Sequence, residues 1–298
     1  MPQPLSRRSL LIGTGALAFM AACGKKNNND AINVKDHTET TTRGQKDVLS
    51  TVMAGTMFQT GIDERVTFAL FQGVPASLVG ADTVVKVAFQ KPGTRVLTDP
   101  VLAERKSEGI EDRPYYVVRH NFDVPGDWGL QAQVDGNKPG NAVITINDPA
   151  KVAWATPGKA LPKPQTPTPA NTLEVNPICT RTPSPCPWHD KSLETLVGNG
   201  KPSIVLLATP ALCQSATCGP VLDILLNEAG NIGERANLVH VEVYKDTSGK
   251  TLSPAFAAFQ TESEPVCYFV DKSGVIVDRF NGPFDATEAR AAIASLLA

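Results

Sequence analysis

SIVLLATPALCQSATCGPVLDILLNEAG, residues 203–230, decides the fold of the second half of this chain. An apolar run ends in a turn that contains Pro210, the cysteines Cys213 and Cys218 follow, and an apolar helical pattern begins after them. A cysteine at such a strand-to-helix turn lies beside unpaired N–H groups of the helix, and these groups and the helix dipole stabilise a thiolate. The stretch predicts a redox-active cysteine pair, with a structural disulfide or a metal site as the alternatives.

Length and composition set the outer limits of the interpretation. The chain has 298 residues, which suggests about two domains at roughly 150 residues each. Its formal net charge is -2, so it lacks the basic character of nucleic-acid-binding proteins, and we expect no nucleic-acid partner. No phosphate-binding loop, zinc signature or serine nucleophile elbow is present in the sequence, so we predict no metal and no diffusible cofactor.

The N-terminus has the features of an export signal. Residues 1–22 carry Arg7 and Arg8 ahead of an apolar run that is too short for a comfortable membrane span. The paired arginines resemble a twin-arginine signal, and MAAC, ending at Cys23, resembles the lipid-attachment signal of bacterial lipoproteins. A secretory signal with a chance cysteine is the alternative. We expect an exported protein, held on the extracytoplasmic face of the cell membrane by lipid on Cys23, with residues 23–45 as a disordered tether.

Two further segments precede the cysteine turn. Residues 46–148 contain several short stretches in which apolar and polar residues alternate, as in half-buried strands, and they predict an all-β antiparallel sandwich. The alternating stretches are 66–70, 85–89, 116–122, 128–134 and 142–146. The layout resembles the immunoglobulin-like domains of envelope proteins. Residues 149–178 are rich in proline and predict a semi-extended linker between two domains.

Residues 179–298 alternate strand and helix patterns in the order β-α-β-α-β-β-α, which predicts an α/β domain. From about residue 190 this part resembles the thioredoxin fold, because the cysteine turn follows the first core strand. SEPVCYFVDKSGVIVDRF, residues 263–280, matches the family's cis-proline and β-hairpin, with Pro265 as the cis residue. Together with ICTR and CPWHD, the cysteine turn also resembles actinobacterial thioredoxin-like envelope lipoproteins.

The resemblance implies roles for three residues. Cys213 would be the attacking thiolate, Cys218 would resolve the mixed disulfide, and Pro265 would shape the groove for the substrate chain. The C-x4-C spacing departs from the family, whose second cysteine lies three residues after the first. Five helical residues advance about 7.5 Å along the axis, whereas a disulfide tolerates Cα separations up to about 7 Å. The pair can therefore close only if Cys213 lies in the loop before the helix.

The remaining cysteines and histidines favour structural roles. The C-x6-C pair Cys179 and Cys186 predicts a disulfide that fixes the linker to the domain, with a second redox pair as the alternative. Cys267 lies within an apolar strand and predicts a core residue, although a resolving thiol is also compatible with that place. His240 alternates with valines and predicts a buried structural histidine, while His189 could lie near the cysteines. No histidine follows His240, which argues against a copper carrier.

These observations predict a membrane-anchored, extracytoplasmic thiol–disulfide oxidoreductase that acts on envelope protein thiols or on a redox partner protein. Thiol exchange runs through a mixed disulfide, so a cysteine pair and a docking surface suffice. The alternative is a redox-inactive envelope binding or scaffold lipoprotein of thioredoxin fold, in which the disulfides are structural and the β-sandwich is the functional part.

Overall fold

Alternation of apolar and polar residues organises the N-terminal region into strands. The computed structural model describes residues 47–298. Residues 47–148 of this range consist of strands and the loops that connect them. These strands are β1 (Leu49–Met53), β2 (Phe58–Gln59), β3 (Asp63–Gln72), β4 (Ser77–Leu78), β5 (Val85–Gln90), β6 (Val101–Lys106), β7 (Tyr115–Asn121), β8 (Gly126–Gln133) and β9 (Gly140–Asn147). The five alternating stretches of the sequence coincide with β3, β5, β7, β8 and β9, so those predictions are confirmed.

The strands form one large mixed sheet that curls as a half-barrel around a single apolar core. Its order is β1-β3-β7-β6-β5-β8-β9-β2, with β4 beside β3, and the β2–β9 pair is parallel. Where the sequence predicts an antiparallel sandwich, the structure has a strand-built region whose strands all belong to one continuous sheet. The reason is β6, whose first half pairs with β5 and whose second half pairs with β7, so that it joins the two halves of the sheet.

The C-terminal region is a smaller α/β unit with the predicted element order. Its helices and strands are α1 (Leu193–Leu196), β10 (Ser203–Leu207), α2 (Cys218–Ile232), β11 (Asn237–Val241), α3 (Pro254–Ala257), β12 (Val266–Val270), β13 (Ile276–Asn281) and α4 (Ala286–Leu297). The sheet order is β11-β10-β12-β13, in which β10 and β11 are parallel and the other pairs are antiparallel. Helices α2 and α4 cover one face of this sheet.

Side chains cap the N-termini of two helices in the C-terminal region. The Ser253 hydroxyl accepts the Phe256 N–H at 3.2 Å, ahead of Pro254 at the first helical position. Asp285 caps α4 by accepting the Glu288 N–H at 2.9 Å. The Glu288 carboxylate does not complete a capping box with Asp285, because it bonds instead to groups of the N-terminal sheet.

The Pro-rich segment 149–178 covers the second face of the C-terminal sheet. Trp154 and Leu161 are buried against strand residues of that face, together with α3. Backbone hydrogen bonds hold the segment along the start of β13, for example from the Gly158 N–H to the Ile276 carbonyl at 2.9 Å. Its prolines limit backbone freedom, and its few apolar residues supply the contacts that a second helical layer would otherwise make. The described residues, 47–298, belong to one compact unit.

Two buried ion pairs join the N-terminal sheet to the C-terminal region. Arg65 of β3 makes a bidentate contact with Glu288 of α4, with N···O distances of 2.8 and 2.7 Å. Arg279 of β13 lies 3.3 Å from Glu64 of β3. Each region therefore supplies one arginine and one glutamate to the contact, and their side chains are between 1% and 11% exposed.

Gly282 allows a close approach of the N-terminal sheet and the C-terminal region. At Gly282 the backbone has φ +88°, and a Cβ atom there would lie 2.1 Å from the Ala54 carbonyl oxygen. A side chain at this position is excluded both by conformation and by space.

The export signal, Arg7, Arg8, the lipid-attachment residue Cys23 and the tether up to residue 45 lie outside the described residues. Among residues 47–298, no helix combines the length and the apolar character that a membrane crossing needs.

Candidate functional site

The cysteine turn lies between the end of β10 and the start of α2. Helix α2 begins at Cys218, and Cys213 lies in the preceding loop, as closure of the C-x4-C pair requires. The Cys213 N–H donates to the Thr209 carbonyl at 3.1 Å, and the Cys213 carbonyl accepts the Ala216 N–H at 3.0 Å. The apolar face predicted for α2 is buried, and this packing fixes the position of the helix start next to the turn. Cys213 is half-buried and Cys218 is fully buried.

Glu264 completes the site and was missed by the sequence analysis. Its Oε2 atom accepts the Thr209 N–H at 2.7 Å and the Cys218 thiol at 3.4 Å. The Sγ atoms of Cys213 and Cys218 and a carboxylate oxygen of Glu264 all lie within 4.8 Å of one another. Glu264 precedes Pro265, and the peptide bond between them is cis, the isomer that the family resemblance implies.

The two thiols have opposite electrostatic surroundings. The Cys218 thiol, the Ser215 hydroxyl and the backbone N–H groups of Thr217 and Cys218 lower the pKa of Cys213 to about 5. The Ser215 hydroxyl lies 3.2 Å from the Cys213 Sγ and 2.7 Å from the Thr217 hydroxyl. Burial, the hydrogen bond to Cys213 and the nearby Glu264 carboxylate raise the pKa of Cys218. At neutral pH the less buried member of the pair, Cys213, is the thiolate, and the fully buried member, Cys218, is the thiol.

The Glu264 carboxyl is poised to exchange a proton. Burial and the nearby Cys213 thiolate raise its pKa to about 7, so both of its protonation states are accessible near neutrality. Because its Oε2 already contacts the Cys218 thiol, the same atom can receive that proton. This arrangement gives the turn a nucleophile, a second thiol and a proton acceptor.

The other predicted residues fall in two places. Cys267 of β12 is completely buried in the core, which confirms the core interpretation. Cys179 and Cys186 lie close together with thiol side chains, and the disulfide between them stays a prediction. His189 and His240 join these two cysteines, with their ligating atoms within 4.8 Å of one another. The described residues therefore hold two separate sulfur-containing clusters.

Comparison with known proteins gives distant structural likenesses over part of the chain. No family model matches, and no curated protein matches. Among solved structures, a thioredoxin-like superfamily protein is 16% identical, with a TM-score of 0.29, over 36% of this chain and 86% of its own. A thiol:disulfide interchange protein of the thioredoxin family from Chlorobium tepidum TLS is 14% identical, with a TM-score of 0.32, over 49% of this chain and 100% of its own. The chain thus has distant structural similarity to thioredoxin-like proteins over part of its length, and these matches confirm no catalytic motif.

Proposed function

We propose that this protein is an extracytoplasmic, membrane-anchored thiol–disulfide oxidoreductase that acts on protein thiols through Cys213 and Cys218. One observation carries the proposal: a half-buried cysteine of low pKa lies beside a fully buried thiol and a half-buried carboxyl, with their ligating atoms within 4.8 Å of one another. A purely structural disulfide needs neither the proton acceptor nor the difference in exposure between its two sulfurs.

In the reductive direction, the Cys213 thiolate attacks one sulfur of a protein disulfide. A bond forms between Cys213 Sγ and that sulfur while the substrate disulfide breaks, and the departing substrate thiolate takes a proton from water. The hydroxyl of Ser215 and the N–H groups of Thr217 and Cys218 stabilise the negative charge on Cys213 before the attack.

Resolution uses the buried thiol. Cys218 gives its proton to Glu264 Oε2, and the resulting thiolate attacks Cys213 Sγ. The Cys213–Cys218 disulfide forms, the mixed disulfide breaks, and the second substrate sulfur leaves as a thiolate. Two electrons have passed from the protein's dithiol to the substrate disulfide, and the reverse sequence oxidises a substrate dithiol. Pro265, directly after Glu264, borders the place where the substrate chain would lie.

The cellular setting is part of the same proposal. Export through the Arg7–Arg8 signal and lipid on Cys23 would place the cysteine turn on the outer side of the membrane, where disulfides persist. The partners would be envelope protein thiols or a redox partner protein. We also propose that the N-terminal sheet is an immunoglobulin-like module, on the basis of its period-two strands and its single core.

The test is a redox titration of the purified chain in glutathione and dithiothreitol buffers, with mass spectrometry to assign the sulfur pairs. We expect the 213–218 bond to open between about -120 and -270 mV, the range of thiol-exchange proteins. A bond that stays closed below about -300 mV would favour the redox-inactive scaffold.

Trapping of a mixed disulfide tests the assigned roles. With a peptide that contains one disulfide, Cys218→Ala should accumulate an adduct on Cys213, because the second attack is missing. The matched variant Cys213→Ala should form no adduct. Adducts on Cys218 in Cys213→Ala would contradict the order of attack.

A further inference from the structure

A second cluster of metal-ligating side chains lies away from the Cys213–Cys218 pair. Cys179, Cys186, His189 and His240 are each at most 5% exposed. The first three come from an irregular segment before α1, and His240 comes from β11. The convergence of four such groups inside an apolar core is uncommon, because each buried polar atom needs a hydrogen-bond partner or a metal ion there.

The spacing of the four atoms fits a tetrahedral ion. Cys179 Sγ lies 3.6 Å from His240 Nδ1, Cys186 Sγ lies 3.5 Å from the same atom, and Cys186 Sγ lies 3.3 Å from His189 Nε2. Tetrahedral coordination with Zn–S of about 2.3 Å and Zn–N of about 2.0–2.1 Å gives a sulfur–nitrogen separation of roughly 3.5 Å. All three distances agree with this value to within about 0.3 Å.

The tautomer of His240 points its lone pair at the sulfurs. Its Nε2 lies 2.9 Å from the Ala208 carbonyl oxygen, which can only accept, so the ring hydrogen is on Nε2. The Nδ1 atom therefore presents a lone pair to both sulfurs. A backbone carbonyl that fixes the other ring nitrogen in this way is the usual outer-shell support of a metal-binding histidine.

A backbone N–H supports the thiolate form of the first cysteine. The Cys186 N–H donates to Cys179 Sγ at 3.3 Å, and such a bond stabilises negative charge on sulfur. Two thiolates would neutralise a doubly charged cation, which leaves no net charge in the buried cluster.

We propose that Cys179, Cys186, His189 and His240 bind one zinc ion in a closed, structural site. Two thiolates and two imidazoles in tetrahedral array are the ligands typical of Zn²⁺, and four protein ligands leave no open position for chemistry. Three of the ligands lie in an irregular stretch that has no helix or strand to fix it, and the fourth lies in β11, so the ion would cross-link this stretch to the sheet. The predicted Cys179–Cys186 disulfide is the competing state of the same cluster.

The zinc site would also hold the cysteine turn in place. His240 contacts the carbonyl oxygen of Ala208. The next residue, Thr209, donates its N–H to Glu264. On the other side, the hydroxyl of Thr180, next to Cys179, accepts the Ala211 N–H at 3.2 Å. Both connections reach the loop that carries Cys213, so the metal would support the redox site without taking part in its chemistry.

The test measures metal content and coordination in the full chain purified without chelators. We expect about one zinc per chain and an X-ray absorption spectrum of two sulfurs at about 2.3 Å and two nitrogens at about 2.0–2.1 Å. This spectrum is recorded on the unmodified protein, so it needs no variant to fold.

Variants then assign the ligands. His240→Gln should lose most of the zinc, whereas the double variant Cys213→Ser and Cys218→Ser should keep it. Failure of the redox proposal would leave this pattern unchanged. The zinc site is refuted if the chain, produced with added zinc, carries none and shows a Cys179–Cys186 disulfide by mass spectrometry. A shell other than two sulfurs and two nitrogens, or loss of zinc in the double variant alone, would also refute it.

Discussion

Removal of the Cys218 thiol should raise the pKa of Cys213. The Cys218 S–H lies near both Glu264 Oε2 and Cys213 Sγ, and its hydrogen bond, when it points to Cys213, is the largest of the influences that lower this pKa to about 5. The Ser215 hydroxyl and the backbone N–H groups at the helix start contribute less. Cys218→Ala deletes that donor and leaves the others in place. Cys218→Ser keeps a donor of similar reach and is the matched control.

The size of the effect follows from the strength of such a bond. A hydrogen bond to a charged group contributes about 1.5–3 kcal/mol, and one pKa unit corresponds to about 1.36 kcal/mol. Cys218→Ala should therefore move the titration midpoint of Cys213 upward by about one to two pH units. Cys218→Ser should move it by less than about one unit, because its hydroxyl can still donate.

The assay is the rate of alkylation by iodoacetamide as a function of pH, read by mass spectrometry on the peptide that contains Cys213. In the reduced wild-type protein the rate should rise with a midpoint near pH 5 and stay level between about pH 6 and 8. An ordinary thiol would instead gain about tenfold per pH unit in that range. A wild-type rate that climbs through pH 8, or an unchanged midpoint in Cys218→Ala, would refute the assigned electrostatics.

Two further predictions concern stability. Burial raises the pKa of Glu264 from 4.5 to about 7, so between these values this carboxyl binds more protons in the folded state than in the unfolded chain, and its contribution to stability falls as pH rises, opposite to the contribution of Cys213. In urea unfolding of the reduced protein, Glu264→Gln should therefore gain stability more steeply than the wild type as pH rises through this window, whereas the exposed Glu262→Gln should keep the wild-type slope; equal slopes in all three proteins would contradict this. Gly282→Ala should cost about 2–6 kcal/mol, since backbone strain and a clash with the Ala54 carbonyl add. At Gly61 the backbone has φ +83°, but the space around the residue is open. Gly61→Ala should therefore lose only the strain energy, about 1–3 kcal/mol, and equal losses of stability in the two variants would contradict the clash.

The sequence predicted best where a local pattern is enough. Alternation located β3, β5, β7, β8 and β9, and the alternation of strand and helix patterns gave the element order of the C-terminal region. Strands β2 and β4 have two residues each, and β6 is largely exposed, so they carry no clear alternation. The pairing of β2 also depends on β9, which is distant in the chain, and a local pattern does not record it.

The candidate site also combines residues that a local pattern reveals with one that it does not. Cys213 and Cys218 are close in the sequence, so their proximity could be predicted. Glu264 is 46 residues from Cys218, and only the fold brings the two together. A usable signal for the second cluster existed in His240, a polar residue inside a buried strand, which needs a partner. In the Pro-rich segment, the apolar Trp154 and Leu161 were the indication that it packs against the sheet.

The reciprocal ion pairs between the two regions restrict how this protein can be rearranged in evolution. A thioredoxin-like region taken from another protein would bring no counterpart for Arg65 or Glu64, and each charge left buried without its partner costs about 3–5 kcal/mol. Substitution of one member therefore requires a matching change on the other side of the contact. The N-terminal sheet and the C-terminal α/β region are expected to be inherited together, as one module, and not exchanged separately.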